Sequence, residues 1–222
     1  MKKQLFTLLF LGSSVLTIAQ NENNTQPGDP NPLSSSTAKT NFTKESIYSE
    51  KSITYFGLDL SLLNLLSYTK LGKDETYLQS LDELVKINNS TMSESRVKSW
   101  FNKKEVKIDH SFTSSEYKNY LTKKWIVNQT QNIDQARIQQ HLLNYKTTGS
   151  GIGLVIIRDL FNENSRNGNM FFVWFDIETK AIIYLKRSYG VQSNGVTIEG
   201  TWDYSVVDAT KYYVDNYFKK KK

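Results

Sequence analysis

Cysteine is absent from this 222-residue chain. Its absence excludes disulfides, thiolate metal sites, a cysteine nucleophile and a lipid-modified N-terminal cysteine. Only two histidines are present, so a zinc site built on histidine is disfavoured as well. Proline is also scarce, and all three prolines, Pro27, Pro30 and Pro32, lie in one short stretch. The remaining chain therefore lacks the residue that most often interrupts helices and strands.

The N-terminal part of the chain divides into a leader and a spacer. Residues 1–19 join Lys2 and Lys3 to an apolar stretch and end in Thr-Ile-Ala, which is the pattern of a cleaved secretory signal. The apolar stretch is shorter than the about 20 residues that a membrane span needs. Residues 20–45 are rich in Asn, Ser, Thr and Pro and predict a disordered spacer. We therefore expect an exported protein, periplasmic or secreted, with one domain at 46–222.

Charge is balanced once the leader and the C-terminal lysines are set aside. The chain holds 28 basic and 22 acidic residues, and six of the basic ones lie in the leader or at the C-terminus. The 22 basic residues that remain equal the acidic ones in number. A nucleic-acid partner, which needs a basic surface, is therefore not expected. Weak contact with an anionic surface is the most that the terminal lysines favour. These lysines are Lys219, Lys220, Lys221 and Lys222.

The centre of the fold is predicted at 151–187, where three apolar segments are separated by turn-rich stretches. This pattern predicts an antiparallel three-strand meander. The first two strands are apolar on both faces and need cover above and below, whereas Lys186 and Arg187 at the end of the third strand are typical of a sheet edge. Along the first strand Ile152, Leu154 and Ile156 lie on one face and Val155 and Ile157 on the other, and along the second strand Phe172 and Trp174 lie opposite Phe171, Val173 and Phe175.

Strands and helices alternate before the meander. Apolar stretches predict strands over 53–60 and 105–110, and helical spacing predicts helices over 74–87, 95–101, 113–126 and 132–146. Helices between strands imply crossovers and parallel pairing. A last helix is predicted from Thr201 onward. The sequence therefore predicts an α/β domain whose mixed sheet has early parallel crossovers, a C-terminal antiparallel three-strand meander and helices on both faces.

The helix predicted at 132–146 carries one of the two histidines. We interpret His141 as a solvated surface residue, because glutamines surround it. The expected N-cap is Asn132. The residues expected to face inward are Ile133, Ala136, Gln140 and Leu143.

Acidic residues inside apolar strands are the first candidates for chemistry. Asp59 lies in YFGLDLS, Asp159 continues IIRD, and Asp176 lies in VWFDIETK. If the strands align, Asp59 and Asp176 approach each other near one end of the sheet, where paired carboxylates suit hydrolysis or metal binding. The alternative is that each acid ends its strand and caps a turn. We favour the second interpretation, because turn residues follow these acids.

His110 and its neighbours form a second candidate set. The histidine follows Asp109 and precedes Ser111 and further serines, which are the residue types of a hydrolytic site. Adjacent residues of a strand point to opposite faces, so Asp109 is poorly placed to orient His110. No Gly-x-Ser-x-Gly motif occurs. The sequence thus predicts no cofactor, no metal and no catalytic residue, with Asp59, Asp176 and His110 as the alternative catalytic set.

Four segments together resemble a group of uncharacterised exported proteins of Bacteroidetes. They are TYFGLDLS (54–61), GIGLVIIRDLFNENS (151–165), FFVWFDIETKAIIYL (171–185) and the glycine-rich loop that leads to Trp202. The resemblance covers the folded region, most clearly the meander, and implies export. It implies no activity, so no functional residue is carried over. The chain departs from the group's pattern after Gly190, where Val-Thr-Ile-Glu replaces a segment richer in glycine and aromatic residues.

Two classes of function are compatible with these observations. The favoured one is a non-catalytic envelope-associated or secreted protein that binds a protein or an envelope polymer through its sheet edge or glycine loop. It accounts for an export signal and a spacer without a coherent catalytic set. The alternative is a hydrolase or metal-dependent enzyme that uses Asp59 and Asp176, with His110 or Ser61 as a further group. The sequence does not define the oligomeric state.

Overall fold

The computed structural model describes residues 39–66, 74–120, 126, 127, 129, 132–162, 165, 167–191 and 198–219. All of them lie within one compact unit that spans 32–222. The predicted leader and most of the predicted spacer lie outside the described residues. Near the end of the spacer, Phe42 packs against the core. No helix in the described part of the chain is long and apolar enough to cross a membrane.

Seven strands form one sheet, which confirms the α/β class together with the helices. The strands are β1 (Ser52–Asp59), β2 (Asn64–Leu66), β3 (Glu105–Ile108), β4 (Ile126–Val127), β5 (Ile152–Asn162), β6 (Asn167–Asp176) and β7 (Ile182–Val191). The helices are α1 (Ser46–Ser49), α2 (Asp74–Thr91), α3 (Glu94–Trp100), α4 (Ser111–Ser115), α5 (Gln135–Leu142) and α6 (Ile198–Tyr213). A 3-10 turn (Glu116–Asn119) follows α4, and a π-helical turn (Val214–Phe218) extends α6.

Strand β5 occupies the centre of the sheet. On one side it pairs antiparallel with β6 from Ile152 to Asn162. Strands β1 and β2 both pair with β5 in parallel, at 153–157 and 160–162 respectively, so they lie end to end along its other side. Strands β3 and β4 continue outward in parallel with β1 and β2, and β7 pairs antiparallel with β6. The three strands of the predicted meander are therefore hydrogen-bonded neighbours.

Alternate residues of β5 and β6 face two separate apolar clusters. Even-numbered residues such as Leu154 and Trp174 pack with side chains of α2, α3 and α6. Odd-numbered residues such as Val155 and Phe175 pack with side chains of α4 and α5. Each residue that the sequence assigned to a face of these strands lies on that face. The apolar pattern on both sides of β5 and β6 thus reflects cover on both sides of the sheet.

The helix predicted over 113–126 is wrong at its end, and its residues 121–125 lie outside the described residues. Helix α4 ends at Ser115, the 3-10 turn ends at Asn119, and Ile126 belongs to β4, where it pairs in parallel with Leu65. The β-branched residues of β4 favour a strand over a helix. Strand β2 is not predicted either, because its three residues are too few to show a period.

The inward face predicted for the helix at 132–146 is also largely wrong. The N-cap is Asp134, whose Oδ1 accepts the N–H of Arg137 at 2.8 Å, and not Asn132. The helix spans only Gln135–Leu142, so Ile133 and Leu143 of the expected face lie outside it. The buried residues of α5 are Ile138, His141 and Leu142, and the exposed ones include Ala136 and Gln140. Leu143, just after the helix, is 53% exposed.

Gly190 packs β7 closely against α6. A Cβ at this position would lie 1.8 Å from the backbone oxygen of Ser205. We predict that Gly190→Ala lowers the free energy of unfolding by about 2 kcal/mol or more, because either β7 or α6 must shift. Urea denaturation measures the change. The matched control is Val191→Ala, since Val191 is 51% exposed and its truncation should change stability by about 0.5 kcal/mol or less. An alanine variant at Gly190 as stable as the control would contradict the close packing.

Candidate functional site

The carboxylate of Asp59 is the centre of a buried polar cluster at the C-terminal end of β1. Its Oδ1 accepts the backbone N–H of Ser61 at 2.8 Å. Its Oδ2 accepts the hydroxyl proton of Tyr145 at 2.5 Å and lies 2.7 Å from Nε2 of His141. Asp59, His141 and Tyr145 are 0%, 5% and 2% exposed. The interpretation of His141 as a solvated residue is therefore wrong, because α5 presents it to the core.

Two opposing effects set the charge of this cluster. Burial raises the pKa of the Asp59 carboxyl, but attraction to His141 and hydrogen bonds from His141, Ser61 and Tyr145 outweigh burial, so the pKa lies below its ordinary value of 3.8. Asp59 is thus ionised at neutral pH. Burial, together with the charge of Asp59, raises the pKa of Tyr145 well above its ordinary value. Tyr145 therefore remains a neutral hydrogen-bond donor.

Aromatic rings enclose the cluster on the side of α4 and α5. The ring of Phe112 lies 4.2 Å from that of Tyr145 and 5.7 Å from that of His141, measured between centroids. The ring of Tyr120 lies 5.6 Å from that of His141. A carboxylate enclosed in this way interacts strongly with its partners, since little solvent screens it. The cluster thus fastens α5 to β1, and its three polar side chains satisfy one another rather than face a cleft.

Asp176 lies far from this cluster. It pairs with Ile152 at the start of β5, whereas Asp59 pairs with Ile157. These positions are about 17 Å apart along β5 at the usual rise per residue. Oδ1 of Asp176 accepts the N–H groups of the two residues in the turn after β6, and Oδ2 accepts the hydroxyl proton of Thr40 at 3.0 Å. The structure therefore does not bring Asp59 and Asp176 together.

His110 lies just before α4. It packs against Gly57, where a Cβ would lie 2.8 Å from its Cδ2. Burial lowers the pKa of His110 below its ordinary value, and the charge of Asp109 opposes this shift without cancelling it. Oδ1 of Asp109 accepts the backbone N–H and the hydroxyl proton of Ser111, so the carboxylate stabilises the start of α4. Across the described ranges, no group of three or more His, Asp or Glu side chains is arranged to hold a metal ion.

The end of β5 contributes two further buried charges. Oδ2 of Asp159 accepts a hydrogen bond from Nη2 of Arg187 at 2.6 Å, and burial raises the pKa of Asp159 in spite of this partner. On the opposite face, Nη2 of Arg158 donates to Oγ of Ser205 at 2.8 Å. Burial lowers the pKa of Arg158 to about 9, opposed by Asp159 and Asp203. These contacts connect β5 with β7 and α6.

Sequence reasoning missed His141, Tyr145 and Arg158 as members of polar clusters. A signal existed for His141, because Ile138, His141 and Leu142 have the i, i+3, i+4 spacing of one helical stripe. A signal existed also for Arg158, since the alternation of β5 places it on the face that α6 covers. Tyr145 lies beyond the end of α5, and its contact with Asp59 has no local signal.

Strand β7 forms one border of the sheet and is the second candidate site. It pairs with β6 on its inner side. Successive residues of a strand direct their backbone groups to alternate sides. The N–H groups of Ile182 and Val191 point outward, because both donate to side chains outside the sheet. The pairing with β6 is regular from Val191 back to Tyr184, and an irregularity separates Tyr184 from Ile182. Every second residue in the regular part faces outward like Val191. These residues are Tyr189, Arg187 and Leu185.

Side chains occupy both ends of this border. Oε1 of Gln139 accepts the N–H of Ile182 at 3.0 Å, and its Nε2 donates to the carbonyl of Lys180 at 2.8 Å. The amide of Gln139 thereby takes the place of a neighbouring strand. At the other end, Oδ2 of Asp208 accepts the N–H of Val191 at 3.0 Å. Between them, residues 185–189 meet no further strand of the described chain, and we name them the edge window.

Tyrosine and lysine side chains flank the edge window. Tyr189 is 52% exposed, and its ring lies 5.4 Å from that of Tyr212 on α6. Nζ of Lys186 lies 4.4 Å above the ring of Tyr217, and Nζ of Lys44 lies 4.1 Å above that of Tyr184. Tyrosine is enriched at protein interfaces, because its ring offers a large contact area and its hydroxyl a hydrogen bond. The border of the sheet thus combines open backbone groups with side chains suited to binding.

Comparison with models of protein families, with curated proteins and with solved structures finds no match for this chain.

The Asp59 cluster leads to a prediction about stability and pH. We predict that Asp59→Asn lowers the free energy of unfolding by about 3 kcal/mol at pH 7, because it removes the anion from a buried pair. The pKa of Asp59 is lower in the folded than in the unfolded state, so its stabilising effect is fully present above about pH 4 and is lost as the pH falls through the folded-state value. The difference between the wild type and the variant should shrink at acidic pH in urea denaturation.

Asp134→Asn is the matched control for this experiment. Asp134 is exposed, and asparagine is an equally good N-cap, so the substitution should cost about 0.5 kcal/mol or less. If both variants lost the same stability, or if the loss for Asp59→Asn did not change with pH, the buried Asp59 carboxylate would not have the role described.

Proposed function

We propose that this chain is an exported, non-catalytic protein, periplasmic or secreted, that binds a protein partner through the edge window of β7. The partner contributes an extended segment, which pairs with β7 as an additional strand. This mode of recognition uses backbone hydrogen bonds for affinity and neighbouring side chains for selectivity. An envelope polymer is the other partner class compatible with export.

The observation that carries this proposal is the division of the β7 border into closed ends and an open middle. Gln139 and Asp208 close the ends, whereas Leu185, Arg187 and Tyr189 direct backbone donors and acceptors away from the sheet. An open sheet edge is a template for pairing with another chain. The outward-facing backbone groups of Leu185, Arg187 and Tyr189 meet no further strand of the described chain, which favours this stretch as a pairing site.

Export is supported by the leader pattern at 1–19 and by the resemblance to exported proteins of Bacteroidetes. The absence of cysteine from the whole chain is compatible with this location but does not require it. The positive tail adds little to the argument, because Lys219 pairs with Asp215 at 3.0 Å and the three lysines after it lie outside the described residues.

The enzyme alternative has less support. It needs Asp59 and Asp176 in one cleft, with His110 or Ser61 beside them. Asp59 instead bonds with His141 and Tyr145 in the core, and Asp176 ends β6 at the other end of β5. The favoured interpretation of these acids, that each accepts backbone N–H bonds in its own turn, agrees with the contacts of both.

A proline at Tyr189 tests the pairing site without removing a bond of the sheet. The N–H of Tyr189 points outward, so Tyr189→Pro deletes a donor of the edge window and leaves the β6–β7 ladder intact. We predict that the purified wild-type chain retains a specific protein from cell-envelope extract and that Tyr189→Pro binds this protein roughly tenfold more weakly. Biolayer interferometry with the isolated partner measures both affinities.

Tyr189→Ala is the matched control, because it removes the ring but keeps the N–H. The alanine variant should retain more affinity than the proline variant, and urea denaturation should give similar stabilities for the two. Equal binding by the wild type and the proline variant would contradict strand addition. Retention of no partner by the wild type would contradict the proposed function as a whole.

A further inference from the structure

The open part of β7 has a defined length. Its outward-facing residues are Leu185, Arg187 and Tyr189, and the side chains of Gln139 and Asp208 already occupy the positions beyond them. A strand that pairs with these three residues has about five residues of its own, since paired strands advance together. Strands of this length are common in proteins. The edge window therefore fits a short extended segment rather than a whole sheet.

Cationic side chains line both faces of the edge window. Lys186 and Lys44 lie on the face of the sheet that α6 covers, each above a tyrosine ring. Arg187 lies on the other face, where its guanidinium group is above the ring of Phe171 at 5.5 Å and bonds with the buried Asp159. An added strand places its side chains beside these groups on alternate faces. Opposite charges at such cross-strand positions stabilise the pair, and like charges weaken it.

A second copy of this chain is a poor occupant of the edge window. Two copies of β7 that fill each other's windows pair antiparallel about Arg187. This register places Arg187 of one copy directly opposite Arg187 of the other, with Lys186 nearby in both copies. Like charges directly opposite destabilise a strand pair, and positive residues on an edge are a common protection against self-pairing. The charge pattern therefore favours a partner of the other sign.

From the length of the window and its charge, we propose that β7 binds an extended segment of about five residues from another protein, with acidic side chains beside Lys186. This proposal rests on the proposed function and specifies its partner. The acidic side chain lies on the face that α6 covers and approaches the ammonium group of Lys186 above Tyr217. The exposed ring of Tyr189 packs on the segment near its end.

Peptide binding tests the charge preference separately from the pairing itself. The probe is a short fluorescent peptide in which Glu alternates with Val, and the comparison peptide has Lys in place of each Glu. We expect the full chain to bind the Glu peptide about tenfold more tightly in fluorescence anisotropy. This difference should narrow between about 0.05 M and 0.5 M salt, because salt screens exposed charges. Lys186→Glu should remove the preference.

Lys107→Glu is the matched control for charge. Lys107 is exposed on β3 at the other border of the sheet, so its reversal changes the net charge equally and should keep the preference for the Glu peptide. If both peptides bind with equal affinity and Tyr189→Pro abolishes the binding of both, strand addition to β7 is supported and the preference for an acidic segment is contradicted. If neither peptide binds, the acidic segment is likewise overturned, and partner capture decides the proposed function. If the chain forms a dimer in sedimentation that Tyr189→Pro dissociates, a second copy is the occupant.

Discussion

The burial of β5 on both faces, with strands along both of its sides, is the constraint on which the rest of the structure depends. An apolar strand in this position needs cover from two layers of helices and hydrogen-bonding partners on two sides. The long partner is β6, and the other side is filled by two shorter strands, β1 and β2. The chain must bend where one short strand ends and the next begins, and Asp59 lies at this bend. Its acceptance of the Ser61 N–H satisfies one of the backbone groups that the bend releases.

The fold could be predicted best where a regular spacing of apolar residues along the chain reflects their burial. From Ile152 to Ile157 and from Met170 to Phe175, each core residue contacts the layer that its parity indicates, so the faces of Leu154 and Val155 follow from the sequence alone. The same reasoning fails at α5, because the helix covers only Gln135–Leu142, and the predicted stripe includes Ile133 and Leu143 from outside it. It fails at β2 and β4, because strands of three and two residues are too short to show the alternation of side chains by which a strand is recognised.

The buried polar cluster could not be predicted from the sequence, because its members are distant along the chain. Asp59 is separated from His141 by 82 positions. The sequence around either residue contains no pattern that indicates contact with the other. Each acid is unusual within its apolar strand, yet its partners come from distant parts of the chain, as His141 of α5 does for Asp59 and Arg187 of β7 does for Asp159. The edge of the sheet was easier to anticipate, since Lys186 and Arg187 mark the strand that has a free side.

Gln139 joins the interior of the protein to the border of its sheet. It belongs to the same short helix as His141, so the pair between His141 and Asp59 also holds the amide of Gln139 against β7. This amide and the carboxylate of Asp208 shorten the free border to a few residues. A border of this length cannot recruit further sheets edge to edge in an endless series, which is the route by which β-rich proteins form fibrils. The two side chains thereby limit pairing along β7 to one short added strand.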